Sequence, residues 1–352
     1  MTKLSVVENK AAQDQQEAEA MSAQDQNVQY IFVPPSDFTP NSGGPWVNVG
    51  AIQSYTQTNN VISFEVNNAV EGLRQGPILY FLSDSMFRVR FHPDPSYNYE
   101  DTVNNSYAVV TNTDSVSKPK VVDNGDSLSI STGQLTIIVS KSQFSIQVIE
   151  NNQVINQDQP GQGIVYIPGQ NVIANIKVYP AGANYFGFGE KAGPNLNKSN
   201  ASMTFFNYDN FKYSGQPFNV QEALYNSTPF LIEANPSPQE GSPYFYGLLF
   251  DNPAQSYFNL GNNDAPGNGD MYGKYYFGAL FGELNYYFFQ SSDVKGVLSQ
   301  YTTLTGRTPL PPKYALGYHQ GCYGYYDRSQ PEQTALLYPP HAFPLHRLHL
   351  DV

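Results

Sequence analysis

The chain has 352 residues, a net charge of −12 and only 14% charged residues, against roughly 25% in an average globular protein. An acidic surface repels phosphate backbones, so nucleic-acid binding is not expected. Aromatic residues also make up 14% of the chain, with 27 Tyr and 22 Phe, and Gly and Pro are frequent throughout. This composition favours a mainly β protein with an ample core over a helix bundle or a disordered chain.

Residues 1–28 are rich in Gln, Glu, Ala and Asp, and they predict a solvated, disordered tail. The tail has no apolar segment of signal-peptide length, and no run in the sequence approaches the roughly 18 apolar residues of a membrane helix. The single cysteine, Cys322, cannot form an internal disulfide and is interpreted as an inert, partly buried thiol. We therefore expect a cytoplasmic protein that makes no membrane contact.

A regular β pattern follows the tail. Residues 87–92 alternate strictly between apolar and polar, which predicts a strand with one buried face and one wet face. A period of two continues through residues 128–148, and strands are also expected at Tyr244–Phe250 and Tyr286–Phe289. Turn chemistry is present at Asn124-Gly125, Gly133-Gln134 and Asn151-Asn152. We predict an antiparallel meander within a large β-sandwich that spans residues 29–292.

Residues 190–225 have few apolar repeats but many Asn, Phe and Tyr, which indicates a long, ordered and functional loop. Asp209 lies in this loop among five aromatic residues: Phe205, Phe206, Tyr208, Phe211 and Tyr213. Aromatic faces stack on sugar rings and a carboxylate orients hydroxyl groups, so the loop predicts a sugar site. The alternative is an Asp in a loop that is merely packed by aromatic side chains.

The C-terminal part changes pattern. Asp293 to Leu304 predicts a helix capped by Asp293, and the prolines that follow complete a helix-and-linker segment over 293–312. We then expect a strand at Tyr314–Tyr318, a helix at Pro331–Leu337 and a second strand at Leu348–Val352. Strand, helix and strand in this order predict a βαβ unit with parallel strands.

Four segments together resemble glycoside hydrolase family 31, the α-glucosidase family. Residues 307–326, which resemble the entry into the family's catalytic barrel, read RTPLPPKYALGYHQGCYGYY. The other three segments, in the expected order, are YFGFGEK at 185–191, FFNYD at 205–209 and LYNSTPF at 224–230. The resemblance covers about residues 180–330, and the earlier part of the chain matches only in its β character.

The resemblance implies a galactose-mutarotase-like β-sandwich packed on a (β/α)8 barrel, and hydrolysis of α-linked glucose with retention. It implies no cofactor. Only 40 residues follow Pro312, whereas a full barrel needs roughly 250, so we expect residues 313–352 to be the first βαβ portion of a truncated barrel, from a truncated or interrupted reading frame. Retaining hydrolysis needs two carboxylates about 5–5.5 Å apart. The family's two catalytic Asp residues lie on late barrel strands, so we assign no catalytic residue and expect an inactive chain.

Four residues are predicted to bind substrate. By resemblance, Asp209 matches the loop Asp that reaches over the barrel mouth, and Asp351 matches the Asp after the second barrel strand, which holds the non-reducing glucose. Tyr225 and His319 line either the pocket or the core. Glu190 is expected to be a structural acid inside the sandwich rather than a catalytic group.

No metal site is expected, because the spacing of His341, His346 and His349 matches no standard motif. The expected partner is an α-glucan or an α-gluco-oligosaccharide, and the open barrel strands favour self-association. Two other classes of function stay open. One is a non-catalytic carbohydrate-binding β-sandwich module, and the other is a structural β-protein whose aromatic patch binds another protein.

Overall fold

The computed structural model describes residues 37–40, 44–68, 72–99, 106–110, 118–191, 195–207, 224–261, 271–322 and 324–350. The predicted tail over residues 1–28 lies outside this part of the chain. The chain divides into two compact units, of which the first ends at Tyr301 and the second begins at Thr302. The domain boundaries expected from the sequence stay predictions.

The described residues form mostly β-strands. In chain order the strands are β1 (Val47–Asn48), β2 (Ala51–Thr58), β3 (Val61–Asn67), β4 (Gln75–Ser83), β5 (Met86–Phe91), β6 (Lys120–Asp123), β7 (Ser127–Ser131), β8 (Thr136–Ser140), β9 (Ser145–Glu150), β10 (Gln153–Gln157), β11 (Ile164–Ile167), β12 (Val172–Val178), β13 (Asn184–Gly189), β14 (Ser202–Phe205), β15 (Ser227–Asn235), β16 (Tyr244–Phe250), β17 (Ser256–Asn259), β18 (Lys274–Ala279), β19 (Leu284–Ser291), β20 (His319–Cys322) and β21 (Arg347–Leu350). The helices are α1 (Val294–Thr305) and α2 (Ser329–Leu337).

Three antiparallel sheets make up the first unit. The largest has eight strands in the order β13-β15-β16-β19-β5-β4-β3-β2, and the second has six strands in the order β1-β11-β12-β18-β17-β14. The third has five strands in the order β10-β9-β8-β7-β6. This arrangement confirms the mainly β, antiparallel sandwich character expected from the sequence.

The core between the eight- and six-stranded sheets is largely aromatic. Phe277 of β18 packs on Tyr286 of β19 at 5.3 Å and on Phe250 of β16 at 5.2 Å between ring centroids. Phe87 of β5 stacks on Phe288 of β19 at 5.0 Å. The Tyr and Phe excess therefore fills the space between the sheets, where offset and edge-on ring contacts add to the burial of apolar area.

The other face of the six-stranded sheet is also covered. Phe38 stacks on Tyr257 of β17 at 4.4 Å and meets Trp46 edge-on at 5.6 Å. The Tyr276 hydroxyl donates to the carbonyl of Phe38 at 2.7 Å. The segment before β1 thus closes a second, smaller core on the outside of this sheet.

Strand β5 differs from the sequence prediction, which gave it one face exposed to solvent. Its polar face was expected to be wet, but Arg88 is 7% exposed and Arg90 is fully buried. Arg90 forms a salt bridge with Glu283 at 2.9 Å, and the Arg88 guanidinium lies 5.0 Å from the Tyr287 ring centroid. Alternation correctly indicated a strand, but the neighbouring strand and loop supply the partners that allow both faces to be buried.

The predicted turns in the five-stranded sheet are confirmed. Asn124-Gly125, Gly133-Gln134 and Asn151-Asn152 each join consecutive strands of this sheet. Asn151 and Asn152 have φ of 49° and 64°, which suits a tight hairpin because Asn tolerates the left-handed region.

The predicted helix α1 begins near the end of the first unit, and the Asp293 Oδ1 accepts a hydrogen bond from the amide of Gly296 at 2.7 Å. This contact confirms the expected cap. The side of α1 near Tyr301 packs on the outer face of the eight-stranded sheet, where the Tyr301 ring stacks on Phe230 at 4.0 Å.

The second unit contains strand β20, helix α2 and strand β21, and its two strands pair in parallel. The prediction of a strand at Tyr314–Tyr318 is wrong. Lys313–Leu316 forms a 3-10 helical turn, and β20 begins only at His319. The amide of Ala315 donates to the carbonyl of Pro312 at 2.9 Å, so the chain turns as soon as the fixed prolines end. Cys322 is exposed, which corrects the expectation of partial burial.

No helix in the described part of the chain is both long and apolar enough to cross a membrane. The cytoplasmic location stays a prediction.

Candidate functional site

The segment over residues 185–191 contains most of β13 and the two residues after it. Its two glycines form a β-bulge. Gly187 pairs with Leu231 of β15, Gly189 pairs with Ser227, and the register shifts between them. Gly187 has φ of +100°, and a Cβ there would lie 2.5 Å from the carbonyl oxygen of Phe230. Only glycine fits this left-handed, closely packed position. The sequence motif is therefore a structural bulge.

The bulge aims the next two side chains at the ends of the irregular segment. Glu190 Oε2 accepts a hydrogen bond from the backbone amide of Tyr225 at 3.2 Å, and its own amide donates to the carbonyl of Asn226 at 3.1 Å. Lys191 Nζ donates to the carbonyl of Thr204 and lies 4.3 Å from the ring centroid of Phe205. Adjacent residues thus hold both ends of the segment between Phe205 and Tyr225.

Glu190 is structural, as expected, but its side chain is exposed rather than inside the sandwich. The sequence did not single out Lys191. Its position directly after Gly189-Glu190 gave no separate signal, because a surface lysine has the same local sequence pattern.

Asp209 lies outside the described residues, so its role as a substrate ligand stays a prediction. Of the aromatic residues around it, Phe205 is 3% exposed and packs on Phe258 at 5.3 Å. Phe205 therefore belongs to the core and is not available to stack on a sugar. Phe206 is half-buried, and Tyr225, at the other end of the segment, is 62% exposed.

Behind the bulge lies a buried polar network that the sequence did not reveal. Tyr244 donates to Glu233 Oε1 at 3.0 Å, and the Tyr246 hydroxyl bonds the other carboxylate oxygen. Lys177 Nζ forms a 2.8 Å salt bridge with Asp158, and it also donates to Asn156 at 3.0 Å.

Burial raises the pKa of Glu233 to about 7, although the tyrosine hydrogen bonds and the Lys177 charge oppose this rise. Lys177 is paired with Asp158, and no cation among the described residues forms an ion pair with Glu233. The network links the two sheets, since the Tyr246 hydroxyl of β16 lies 2.8 Å from the Tyr275 hydroxyl of β18. No solvent path to it is evident, because Glu233, Tyr246 and Lys177 are all fully buried.

In the second unit His319 is the first residue of β20. Its Nδ1 lies 3.1 Å from Nε2 of His349, and its Nε2 is buried without a hydrogen-bond partner in the described part of the chain. The strand register pairs His319 with Arg347. Asp351 lies outside the described residues, directly after the last residue of β21, Leu350.

The described residues contain no group of three or more His, Cys, Asp or Glu side chains that could hold a metal ion. His346 accepts a hydrogen bond from the amide of Tyr318 at 3.0 Å, while His349 faces His319.

Comparison with known proteins defines the class of this chain. Residues 78–259 match the glycosyl hydrolase 31 N-terminal galactose mutarotase-like domain. The chain belongs to this family, and the matched residues lie within the β-sandwich of the first unit.

Known relatives are much longer. α-Glucosidase 2 of Bacillus thermoamyloliquefaciens is 28% identical over 309 residues, which is 87% of this chain but 35% of that protein. A family 31 dextranase from Flavobacterium johnsoniae, solved in complex with glucose, is similar with a TM-score of 0.68 and 26% identity over 87% of this chain and 34% of its own. An α-1,4-glucan lyase from Gracilariopsis lemaneiformis has the same fold, with a TM-score of 0.71 and 20% identity over 91% of this chain and 38% of its own. The chain therefore spans about a third of the length of these relatives.

Proposed function

We propose that this chain supplies the N-terminal, sugar-facing part of an α-glucosidase-type hydrolase that acts on α-linked glucose in glucans or oligosaccharides. The observation that carries the proposal is the pair of contacts by which Glu190 and Lys191 hold both ends of the segment that contains Asp209. A binding loop is effective when its ends are fixed, because less conformational freedom is lost on binding. The relatives named as an α-glucosidase and a dextranase support the same substrate class.

In this proposal Asp209 accepts hydrogen bonds from sugar hydroxyls, and Tyr225 offers its exposed ring next to the fixed end of the loop. Asp351 adds a second carboxylate after β21. The carboxyl ends of parallel barrel strands are where active sites of (β/α)8 barrels form, and Asp351 follows β21 at that end.

His319 lies at the other end of this small sheet. It pairs in register with Arg347, four residues before Asp351, so the two positions are separated by about 13 Å at the usual rise of a strand. We therefore assign His319 a structural role with His349 in preference to sugar contact.

The second unit, in this proposal, is the first βαβ portion of a barrel, with the helix and linker over residues 293–312 leading into it. The support is the parallel pairing of β20 with β21 through the intervening helix α2. Two carboxylates placed across a glycosidic bond are needed for retaining hydrolysis, and no pair in these 352 residues is assigned to that role. We therefore propose that this polypeptide binds sugar without turnover.

The test compares binding and hydrolysis on the purified 352-residue chain. We expect maltose to bind, as measured by calorimetry, and Asp209→Asn to weaken that binding roughly tenfold, since a hydrogen bond to a charged group is lost. Asp293→Asn is the matched control, because it alters an exposed carboxylate that caps α1. Glucose release from maltose or p-nitrophenyl α-glucoside that disappears in Asp209→Asn would refute the lack of turnover.

A non-catalytic carbohydrate-binding module is the second candidate. It is favoured by the fact that the contacts holding the loop all lie before Tyr301, within the first unit. The DNA downstream of codon 352 separates the two. Sequence that encodes further barrel strands supports the hydrolase, and unrelated sequence supports the module.

A further inference from the structure

A largely apolar cleft with a few polar side chains opens on the outer face of the eight-stranded sheet, within the first unit. Its volume is about 520 Å³, and among its lining residues are Arg88, Asp251, Asn252, Phe281, Glu283 and Asn285. None of these residues belongs to the site proposed above. A cleft of several hundred cubic ångströms with a few convergent polar groups is what a small ligand needs.

The walls of the cleft are fixed. Asn252 Nδ2 donates to the carbonyls of Phe281 and Glu283 at 2.8 and 3.0 Å, and its Oδ1 accepts from the amide of Ala254 at 2.8 Å. One 8% exposed side chain therefore ties together the two loops on either side of the cleft. Gly282 has φ of +82°, so the turn that carries Phe281 also needs glycine.

The charges at the floor fall into two sets. Arg90 and Glu283 neutralise each other, because Arg90 Nε and Nη2 both donate to the Glu283 carboxylate at 2.9 to 3.2 Å. Arg88 and Asp251 do not meet. The Asn285 amide lies between them: its Oδ1 accepts from Arg88 Nε at 2.7 Å and its Nδ2 donates to Asp251 at 3.3 Å.

This arrangement leaves a donor and an acceptor for a ligand. Among the described residues, neither Nη1 nor Nη2 of Arg88 has a hydrogen-bond partner, and the guanidinium is held between the rings of Tyr80 and Tyr287 at 5.7 and 5.0 Å. Asp251 supplies acceptor oxygens beside it. Adjacent sugar hydroxyls both donate and accept, so they match such a pair.

The rim supplies an apolar surface. Phe281 is 62% exposed in its turn, and Tyr97, which also lines the cleft, stacks on His92 at 4.0 Å. An exposed aromatic ring above paired polar groups is suited to the apolar face of a pyranose.

We propose that this cleft is a binding site for a neutral sugar, with Arg88 and Asp251 holding adjacent hydroxyls and Phe281 stacking on the ring. The two guanidinium groups and the two carboxylates make the site neutral overall, which disfavours a phosphate or another anion. The inference goes beyond the proposed function, because it needs neither the Asp209 loop nor any barrel residue.

The experiment is calorimetric titration of the full 352-residue chain with maltotriose, isomaltotriose and inorganic phosphate. Phe281→Ala removes the exposed ring, and Asp251→Asn removes one acceptor charge without changing size. Each is expected to weaken binding of the trisaccharide roughly tenfold. Tyr272→Ala is the matched control, because Tyr272 is another exposed aromatic residue, 85% exposed, outside the cleft. Thermal unfolding confirms that each variant is folded.

The outcomes separate this site from the site at Asp209. Trisaccharide binding that survives in Asp209→Asn but is lost in Phe281→Ala and Asp251→Asn supports the cleft, even if the proposed function fails. If trisaccharide binding is lost in Asp209→Asn but not in the two cleft variants, the proposal of a sugar site in the cleft is wrong and the proposed function is supported. The proposal of a sugar site in the cleft is also wrong if neither sugar binds, or if phosphate binds more tightly than either sugar.

Discussion

Glu190 Oε2 accepts a hydrogen bond from the backbone amide of Tyr225 at 3.2 Å, across 35 residues of sequence. The contact fixes one end of the segment that carries Asp209, and Lys191 fixes the other end through the carbonyl of Thr204. An exposed carboxylate contributes little to global stability, so its effect is local. The hydrogen bond restricts the conformations that the loop can adopt.

Removing this contact should loosen the loop without unfolding the protein. We expect Glu190→Ala to speed proteolytic cleavage within residues 208–223 by about threefold or more, because local opening becomes more frequent. The midpoint of thermal unfolding should change little. The measurement is limited proteolysis followed by mass spectrometry.

Glu240→Ala is the control for this prediction, since Glu240 is also an exposed glutamate of the first unit. Equal cleavage rates in Glu190→Ala, Glu240→Ala and the unaltered chain would show that the hydrogen bond does not restrain the loop.

Gly189 should be intolerant of any side chain. Its φ is +68°, and a Cβ would lie 2.8 Å from the amide nitrogen of Thr228 and 2.9 Å from the carbonyl oxygen of Asn226. We expect Gly189→Ala to lower the free energy of unfolding by at least about 2 kcal/mol, through backbone strain and the clash together. Chemical denaturation provides the measurement.

The matched control is Gly273→Ala, at φ of +70°, where no atom of the described residues lies within 4 Å of the added Cβ. This change isolates the cost of the backbone conformation, about 1 kcal/mol. A Gly189→Ala variant no less stable than Gly273→Ala would mean that the close approach to β15 does not matter.

Glu233 should make the stability of the sandwich depend on pH. Its folded pKa is about 7, raised by burial above the usual glutamate value of 4.5, so the folded state holds a proton that the unfolded state releases. The contribution is fully present below about pH 4.5 and is lost as the pH rises to about 7, a change of about 3 kcal/mol. The free energy of unfolding should therefore fall over this interval through this group.

Glu233→Gln should remove that component, because an amide fills the same space and does not titrate. The comparison is urea denaturation at a series of pH values for the unaltered chain, Glu233→Gln and the exposed control Glu240→Gln. Parallel pH profiles for Glu233→Gln and the unaltered chain would rule out a protonated, buried Glu233.

The second unit should drive self-association. None of the residues of α2 is buried, and Leu336, Phe343 and Leu350 are 71%, 66% and 73% exposed. Apolar side chains beside the open edges of a two-stranded sheet favour contact between copies. We expect light scattering to show oligomers of the full chain, and a chain ending at Thr305 to be more soluble.

Leu336→Gln combined with Phe343→Ser should reduce the association in the full chain. Leu310→Gln is the control, since Leu310 is 92% exposed in the linker and lies outside the second unit's strands and helix. A monomeric full chain, no less soluble than the shortened one, contradicts the prediction.

Local patterns predicted the class of fold well. Alternation over residues 128–148 indicated the strands β7, β8 and β9, and the turn residues at 124–125, 133–134 and 151–152 indicated three of the hairpins of this sheet. Asp293 indicated the start of α1. All of these are present. The same patterns failed at Tyr314–Tyr318, where an apolar run after prolines forms a 3-10 turn. A run of five residues does not distinguish a strand from a turn, because the period has no room to repeat.

The candidate site was predicted only in part. The motif at residues 185–191 was recognised, but its mechanical role depends on contacts with Thr204 and Tyr225 that sequence spacing does not specify. The cleft with Arg88 and Asp251 was not found, because its residues come from six separate segments of the sequence and Arg88 was interpreted as part of the wet face of a strand.

The amino-acid sequence by itself determined that the first unit is an antiparallel β protein and that a βαβ unit follows it, since hydrophobic period and turn residues act over short distances. Only the tertiary structure decided which polar groups are buried together: Arg90 with Glu283, Glu233 with Tyr244 and Tyr246, and Glu190 with Tyr225. These partners are 11 to 193 residues apart. Strand order and register bring them together, and no local property of either residue encodes its partner.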